Sequence, residues 1–347
     1  MSRPAIIIRK DESLEAALVM LDANPRMQTL MIENVDGKII GTLTDGDIRR
    51  GLIKGLDKSH TVSDFMHHTF THLTKGKYEP EIIEQIKVNK LKIIPELNED
   101  RTLSRIINFT EVKTILPIDA VIMAGGVGSR LMPLTENTPK PMLKIGDQPI
   151  MEYNVNLLKQ YGISHLTLSV KYLAQQIEDY FGDGSETGID IKYISEDKPL
   201  GTIGAVKQIK QFYNDYVLVM NSDLLTNINL ELMFNELKTS DADMIVATTD
   251  YKVQIPYGVV EANGNKILAL KEKPTYTYYS NAGIYIFKKS LIDLIPDNSF
   301  FNATDLLEKL IDLKKQVLHF PIKNYWLDIG KHLDFEKAQN DVKNITF

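Results

Sequence analysis

The chain has 347 residues, 43% of them apolar and 25% charged, no cysteine, and a formal net charge of −6. That length predicts about two domains, each able to bury a core. The missing cysteines exclude a disulfide scaffold, a thiolate nucleophile and a Cys-based zinc site, and the acidic balance leaves no basic field to draw the chain to nucleic acid or anionic lipid.

The start MSRPAIIIRK lacks the apolar core of a signal peptide, and no apolar run reaches the roughly 18 residues of a membrane span. A cytoplasmic protein is expected, with no nucleic-acid or membrane partner. Residues 1–115 then read as a unit of their own. Leu14, Ala17, Leu18 and Leu21 form a helical stripe, with Asp11 or Ser13 as N-cap. Thr29–Glu33 and Lys38–Leu43 are strands about the turn Val35-Asp36-Gly37, and Thr44-Asp45-Gly46-Asp47 opens a helix, Ile48–Lys54, closed by Gly55. About sixty residues later the order returns. Ile82, Ile83 and Ile86 form a stripe, Leu91–Pro95 a strand, Asn98-Glu99-Asp100 a turn, and Leu103–Ile107 another strand.

The string from Gly41 to Arg49, GTLTDGDIR, resembles a tandem CBS (Bateman) module. The resemblance implies an α+β regulatory domain in which Thr44 and Asp47 hold a regulatory nucleotide at a helix N-terminus. Taken as residues alone, the two read equally as a helix cap. The second copy ends in Asn108-Phe109-Thr110-Glu111, without the Thr-x-x-Asp pattern, so its ribose carboxylate is missing. His60, His67, His68 and His72 are irregularly spaced and read as exposed polar residues. Paired CBS modules imply a homo-oligomer.

A short junction, Thr114–Asp119 with Pro117, leads into residues 118–347. Ala120–Ala124, His165–Val170, Ile189–Ser195 and Tyr216–Asn221 read as strands. Ile150–Tyr161, Leu173–Phe181 and Thr202–Phe212 read as the helices between them. This alternation predicts a mainly parallel sheet with helices on both faces. Glu261-Ala-Asn-Gly264-Asn, between apolar runs, adds a hairpin.

Directly after the first of these strands come Gly125, Gly126 and Gly128, then Arg130 and Lys140. Glycines at a strand end let backbone N–H groups approach an anion, and two cations at the same mouth suit polyphosphate. A Walker loop would need Gly-Lys-Ser/Thr at its end, and a dinucleotide fingerprint a third glycine at Leu131. In open α/β sheets ligands sit beyond the carboxyl ends of strands. Asp223, after Tyr216–Asn221, and Asp328, in Trp326-Leu327-Asp328-Ile329-Gly330, are therefore candidates for Mg²⁺, though each also reads as a turn residue.

The whole string Gly125–Leu131, Pro133–Thr135 and Pro139–Pro141 resembles the signature of the sugar-1-phosphate nucleotidyltransferases. The resemblance implies an α/β, Rossmann-like (GT-A-like) mixed sheet that turns NTP and sugar 1-phosphate into NDP-sugar and pyrophosphate. It implies Arg130, Lys140 and Asp223 as catalytic residues and Asp223 with Asp328 as ligands of the cofactor Mg²⁺. Ala124, Gly125, Gly126, Gly128, Glu196, Leu200 and Gly201 would bind the nucleotide, with Thr202 starting the next helix and the bulky Ile203 trimming the pocket. Gly258, Glu272, Lys273 and Asn281 would bind the sugar phosphate. Glu272 and Lys273 by themselves read as a solvated pair. Joined to a CBS pair, the chain is similar to bacterial glucosamine-1-phosphate guanylyltransferases of legionaminic acid pathways, which implies GTP. The alternative is a nucleotide-sugar sensor or regulatory subunit of the same fold; such chains lose the Arg, Lys or metal Asp, and this one keeps them.

Overall fold

The computed structural model describes residues 6–25 and 27–347. Met1–Ala5, the start of the segment read for leader character, and Arg26 lie outside the described residues. The chain divides into two compact units, Met1–Ile115 and Leu116–Phe347.

The first unit contains two copies of one β-α-β-β pattern. In the first, β1 (Ile7–Arg9) leads to α1 (Leu14–Ala23), β2 (Leu30–Glu33) and β3 (Ile39–Leu43), followed by α2 (Asp45–Ile53) and α3 (Val62–Phe65). In the second, β4 (Leu73–Thr74) leads to α4 (Pro80–Val88), β5 (Ile93–Leu97) and β6 (Leu103–Asn108). Each copy is a three-stranded sheet with its first pair parallel and its second antiparallel. Ser13 caps α1 by accepting from Ala16 N–H, which frees Leu14, Ala17 and Leu21 to bury their stripe on the sheet. The backbone bond Ile39 N–H to Arg101 O joins the two copies, and Ile93 and Leu97 of the second copy pack into the core of the first.

The second unit is built on a seven-stranded sheet. Its chain runs through β7 (Ile118–Ala124), the hairpin β8 (Lys144–Ile145) and β9 (Gln148–Pro149), α5 (Ile150–Gln160), β10 (His165–Val170), α6 (Ala174–Phe181) and β11 (Asp190–Ser195). Then follow β12 (Tyr216–Asn221), β13 (Leu224–Thr226), α7 (Leu230–Thr239), β14 (Met244–Gln254), β15 (Val259–Asn263), β16 (Lys266–Lys271), β17 (Thr275–Lys288), α8 (Ala303–Asp312), β18 (Val317–Pro321), β19 (Trp326–Asp328) and α9 (His332–Asp341). The strand order is β11-β10-β7-β12-β17-β14-β18. All pairs are parallel except those made by β17, which runs against both neighbours. The sheet is thus mainly parallel, as the alternation predicts, with one reversed strand. Ala120, Val121 and Ile122 are all buried. Consecutive strand residues point to opposite faces, so both faces of the sheet are covered.

One predicted helix is corrected. Over Thr202–Phe212 the chain makes only a short 3₁₀ turn, Gly204–Gln208. Ile203 and Gly204 donate their N–H groups to Phe301 O, and Phe301 donates back to Leu200 O. Those bonds tie the segment to the loop before α8 and replace a helical ladder. Ile203 is fully buried in the core with Val121, Val206 and Leu306, so it does not trim the pocket. No helix among the described residues is long and apolar enough to cross a membrane.

Candidate active site

The register of the sheet determines where chemistry can collect. Ala124 of β7 lies opposite Val170 of β10, Val170 opposite Ser195 of β11, and Asn221 of β12 opposite Met123. These strands therefore end on one line. The residues that follow them, Gly125, Lys171, Glu196 and Ser222-Asp223, emerge at a common edge and line one cleft of about 480 Å³. Gly126, Gly128, Arg130, Lys140, Leu200 and Gly201 line it too. Ala124 itself is buried at the end of β7.

The glycine loop is tight for reasons of space. Gly128 has φ +69°, and a Cβ there would lie 2.9 Å from Lys140 Cβ and 3.0 Å from Thr135 Cγ2. Thr135 donates to Gly128 O at 2.9 Å, and Leu131 is buried with Leu225 and Ile329 beneath the site. A Cβ on Gly125 would meet Glu196 Oε1 at 2.8 Å. Glu196 is itself buried, accepting from Ser169 Oγ at 2.6 Å and from Leu200 N at 3.1 Å. This carboxylate therefore ties the end of β10 to the Leu200-Gly201 loop and packs close against Gly125. Gly201, at φ +77°, passes so close to Phe301 O that a Cβ would fall 2.6 Å from it.

Asp223 and Asp328 come together through a two-stranded ladder. β13 pairs with β19, setting Leu224 opposite Asp328, and Ile329 N–H donates to Asp223 O at 3.0 Å. The buried Lys140 ammonium pairs with Asp223 Oδ2, while Asn154 of α5 donates to Ser222 O at 3.3 Å. Asp223 Oδ1 and Asp328 Oδ1 are buried with no hydrogen-bond partner. Burial, and next the charge of Asp223, push the Asp328 carboxyl above its ordinary value, against the pull of Lys140 and Arg130. The Arg130 guanidinium lies over the Gly330 backbone, within 3.5 Å of where a Cβ there would stand. Two unsatisfied carboxylate oxygens flanked by cations fit a divalent ion that takes its other ligands from phosphate and water. Among the described residues no group of three or more His, Cys, Asp or Glu is placed to hold a metal ion.

Of the residues expected to bind a sugar phosphate, Gly258, Glu272 and Lys273 are placed elsewhere. Gly258 precedes β15, and Glu272 and Lys273 form the turn from β16 to β17. A Cβ on Gly258 would lie 3.1 Å from Glu272 Oε2, so these two are neighbours. Both Glu272 and Lys273 are exposed, and neither they nor Gly258 line the cleft. Asn281 of β17 donates to Tyr285 OH at 2.7 Å and accepts from Gly283 N. Gly283, at φ +72°, is so close to Asn221 that a Cβ would fall 2.5 Å from its Nδ2, which links Asn281 to the cleft edge. In the first unit, Thr44 and Asp47 close a capping box on α2, and Arg50 donates to Asp47 Oδ1 at 2.6 Å. Sequence reasoning missed Lys171, which lines the cleft immediately after β10. The rule that led to Asp223, a polar residue just past a strand's carboxyl end, applies to it equally.

Residues 119–345 match the family model described as nucleotidyl transferase. The chain is 34% identical over 251 residues to the UTP–glucose-1-phosphate uridylyltransferase of Synechocystis, with 65% of each chain covered. It is 33% identical to the D-glycero-α-D-manno-heptose 1-phosphate guanylyltransferase of Aneurinibacillus thermoaerophilus, over 65% of this chain and 99% of that one. It is 30% identical to the mannose-1-phosphate guanylyltransferase of Mycobacterium tuberculosis, over 65% and 64%. The match thus spans a little under two thirds of the Synechocystis and Mycobacterium relatives. Among solved structures, HddC of Yersinia pseudotuberculosis superposes with TM-score 0.51 at 27% identity, over 65% of this chain and 99% of that one. HddC complexed with GMP-PN gives TM-score 0.50 at 26% identity over the same shares.

Proposed function

The chain belongs to the nucleotidyl transferase family, and from that membership we propose that it joins an NTP to a sugar 1-phosphate, giving an NDP-sugar and pyrophosphate. The observation that carries this reading is the pair of buried, unpartnered oxygens, Asp223 Oδ1 and Asp328 Oδ1, set beside Lys140 and Arg130 at a glycine loop.

In this reaction an oxygen of the sugar phosphate attacks the α-phosphorus of the NTP. A new P–O bond forms as the bond to the β-phosphate breaks, and pyrophosphate leaves with the electron pair. The nucleophile is already anionic, so no side chain has to remove a proton. The barrier comes from the approach of two polyanions, and the protein lowers it by positioning and neutralisation. The N–H groups of Gly125–Gly128 and the Arg130 guanidinium hold the triphosphate and the departing pyrophosphate. Lys140 holds the sugar phosphate in line. Glu196 fixes Leu200 and Gly201 for the base, and Asn281, linked to the cleft edge through Gly283, takes the sugar. Mg²⁺ held by Asp223 and Asp328 would supply further positive charge to the phosphates.

We take GTP as the donor. The two guanylyltransferase relatives and the HddC complex with GMP-PN support it, and the Synechocystis uridylyltransferase makes UTP the competitor to run beside it. The product is a GDP-sugar made in the cytoplasm for surface-glycan or nonulosonate precursors. The two β-α-β-β copies support a tandem CBS module. A nucleotide at Thr44 and Asp47 would take the Asp47 carboxylate from Arg50, and calorimetric titration of the chain with adenine nucleotides tests that site. The main test is pyrophosphate release across five NTPs and a panel of hexose, hexosamine and heptose 1-phosphates. GTP with one sugar 1-phosphate should give the highest kcat/KM. Release from no pair would leave a nucleotide-sugar sensor in its place.

A further inference from the structure

Phe300 is 62% exposed, while Phe301 beside it packs on the core of the sheet. Single exposed apolar residues are ordinary, but this one stands on a fixed backbone. Phe301 N–H donates to Leu200 O, and Phe301 O accepts from Ile203 and Gly204. Thr202 N–H donates to Asn302 Oδ1 at 3.3 Å, and Thr202 Oγ1 accepts from Ala303 N–H at 2.9 Å. A Cβ on Gly204 would lie 2.7 Å from Ser299 O. The segment 299–303 is therefore bolted to the loop 200–204, and Phe300 is the residue of it that lines the active-site cleft. Among the described residues it is also the only aromatic side chain lining that cleft.

We propose that Phe300 stacks on the nucleobase of the bound NTP. The assignment rests on the transferase reading above and adds to it a side-chain contact for the base. Of the parts of the two substrates, the phosphates and the sugar present charge and hydroxyl groups; the base presents a flat π face that an aromatic ring can cover. The position of the ring agrees. Arg130 lies over Gly330 and Lys140 pairs with Asp223, so the charge that suits phosphate gathers at one part of the cleft. Phe300 belongs instead to the segment tied to Leu200, Gly201 and Thr202. Stacking reads no hydrogen-bond pattern, because every base has a π face. The ring therefore contributes affinity for any NTP and leaves the choice of base to the groups that meet its edge.

Calorimetric titration of the full chain with GTP and Mg²⁺, and with UTP beside it, reads the contact without turnover when no sugar phosphate is present. Phe300→Ala should raise the Kd of both nucleotides about tenfold or more, the scale of one base stacked on one ring, with unchanged circular dichroism. Phe300→Tyr should keep the wild-type Kd, and Phe300→Leu, apolar but without a π face, should lose most of it. Inorganic tripolyphosphate, which carries no base, should bind all four chains alike. An unchanged Kd in Phe300→Ala overturns the proposal, and so does a Phe300→Leu chain that binds as tightly as Phe300→Tyr. A parallel loss of tripolyphosphate also overturns it, making the ring a support of the phosphate loop; a raised KM for sugar 1-phosphate with the Kd of GTP intact would give the ring to the sugar. The transferase reading fails separately: a chain that binds GTP but releases pyrophosphate from no pair removes that reading and leaves the stacking result standing, and a wild-type chain that binds no NTP removes both.

Discussion

Asp328 is held in a place that opposes its charge. Burial and the charge of Asp223 raise its folded-state pKa above the ordinary 3.8, so folding disfavours the charged form relative to the unfolded chain. The stability that this group contributes is present below about pH 4 and is lost as pH rises through the raised value. Without divalent cations, the melting temperature of Asp328→Asn should therefore rise relative to the wild type as pH goes from about 4 to about 8. Millimolar Mg²⁺ should raise the wild-type melting temperature more than the variant's. Calorimetry across pH, with and without Mg²⁺, checks both signs. Asp223→Asn is expected to leave the fold intact and lower kcat by about 10²–10³, the loss seen for one preorganised electrostatic group; near-normal turnover would remove the residue from the chemistry. Lys171→Met should raise the KM for NTP about tenfold with little change in kcat, as loss of one charged hydrogen bond would. Asp223, Arg130 and Lys140 stand out in the sequence because each sits in a short string of unusual composition. Lys171 follows an ordinary strand, His165 to Val170, with no unusual string around it, so only the strand-end rule points to it.

At the scale of elements, the site depends on two tight approaches. One is the glycine loop against Lys140 and Thr135. Gly128→Ala places a Cβ 2.9 Å from Lys140 Cβ at a positive φ. It should cost about 1–2 kcal/mol from backbone conformation alone. Because it shifts Lys140, it should also lower kcat/KM by up to about 10², read as a loss larger than the change in melting temperature explains. The other is the β13–β19 ladder. Leu224–Thr226 and Trp326–Asp328 are too short to stand out as strands in the sequence, and about a hundred residues separate them. They form because Leu225 and Ile329 bury on Leu131 and Ile145. The predicted Thr202–Phe212 helix failed for the same type of reason, since bonds to Phe301 replaced a local ladder.

At the scale of the molecule, an acidic chain must attract polyanions. The net charge of −6 repels NTP, and Arg130, Lys140 and Lys171 at one mouth oppose that repulsion locally. Salt decides which prevails, since the screening length shrinks from about 10 Å at 0.1 M to about 3 Å at 1 M. The KM for NTP should rise with added KCl; a fall would mean that repulsion by the whole chain dominates and that the local cations are not what gathers substrate.

The sequence by itself determined the duplicated first unit, the mainly parallel sheet and the glycine loop with its cations. Each of these is written in short-range patterns: a period of 3.6 or 2, a turn residue, a cluster of glycines. Tertiary structure alone decided that Asp223 and Asp328 share one buried spot, that Glu196 ties the end of β10 to the Leu200-Gly201 loop, and that Gly258, Glu272 and Lys273 lie on an arm apart from the cleft. Those outcomes depend on which distant segments pack against each other, and burial, unlike spacing, is a property that no local stretch of chain possesses.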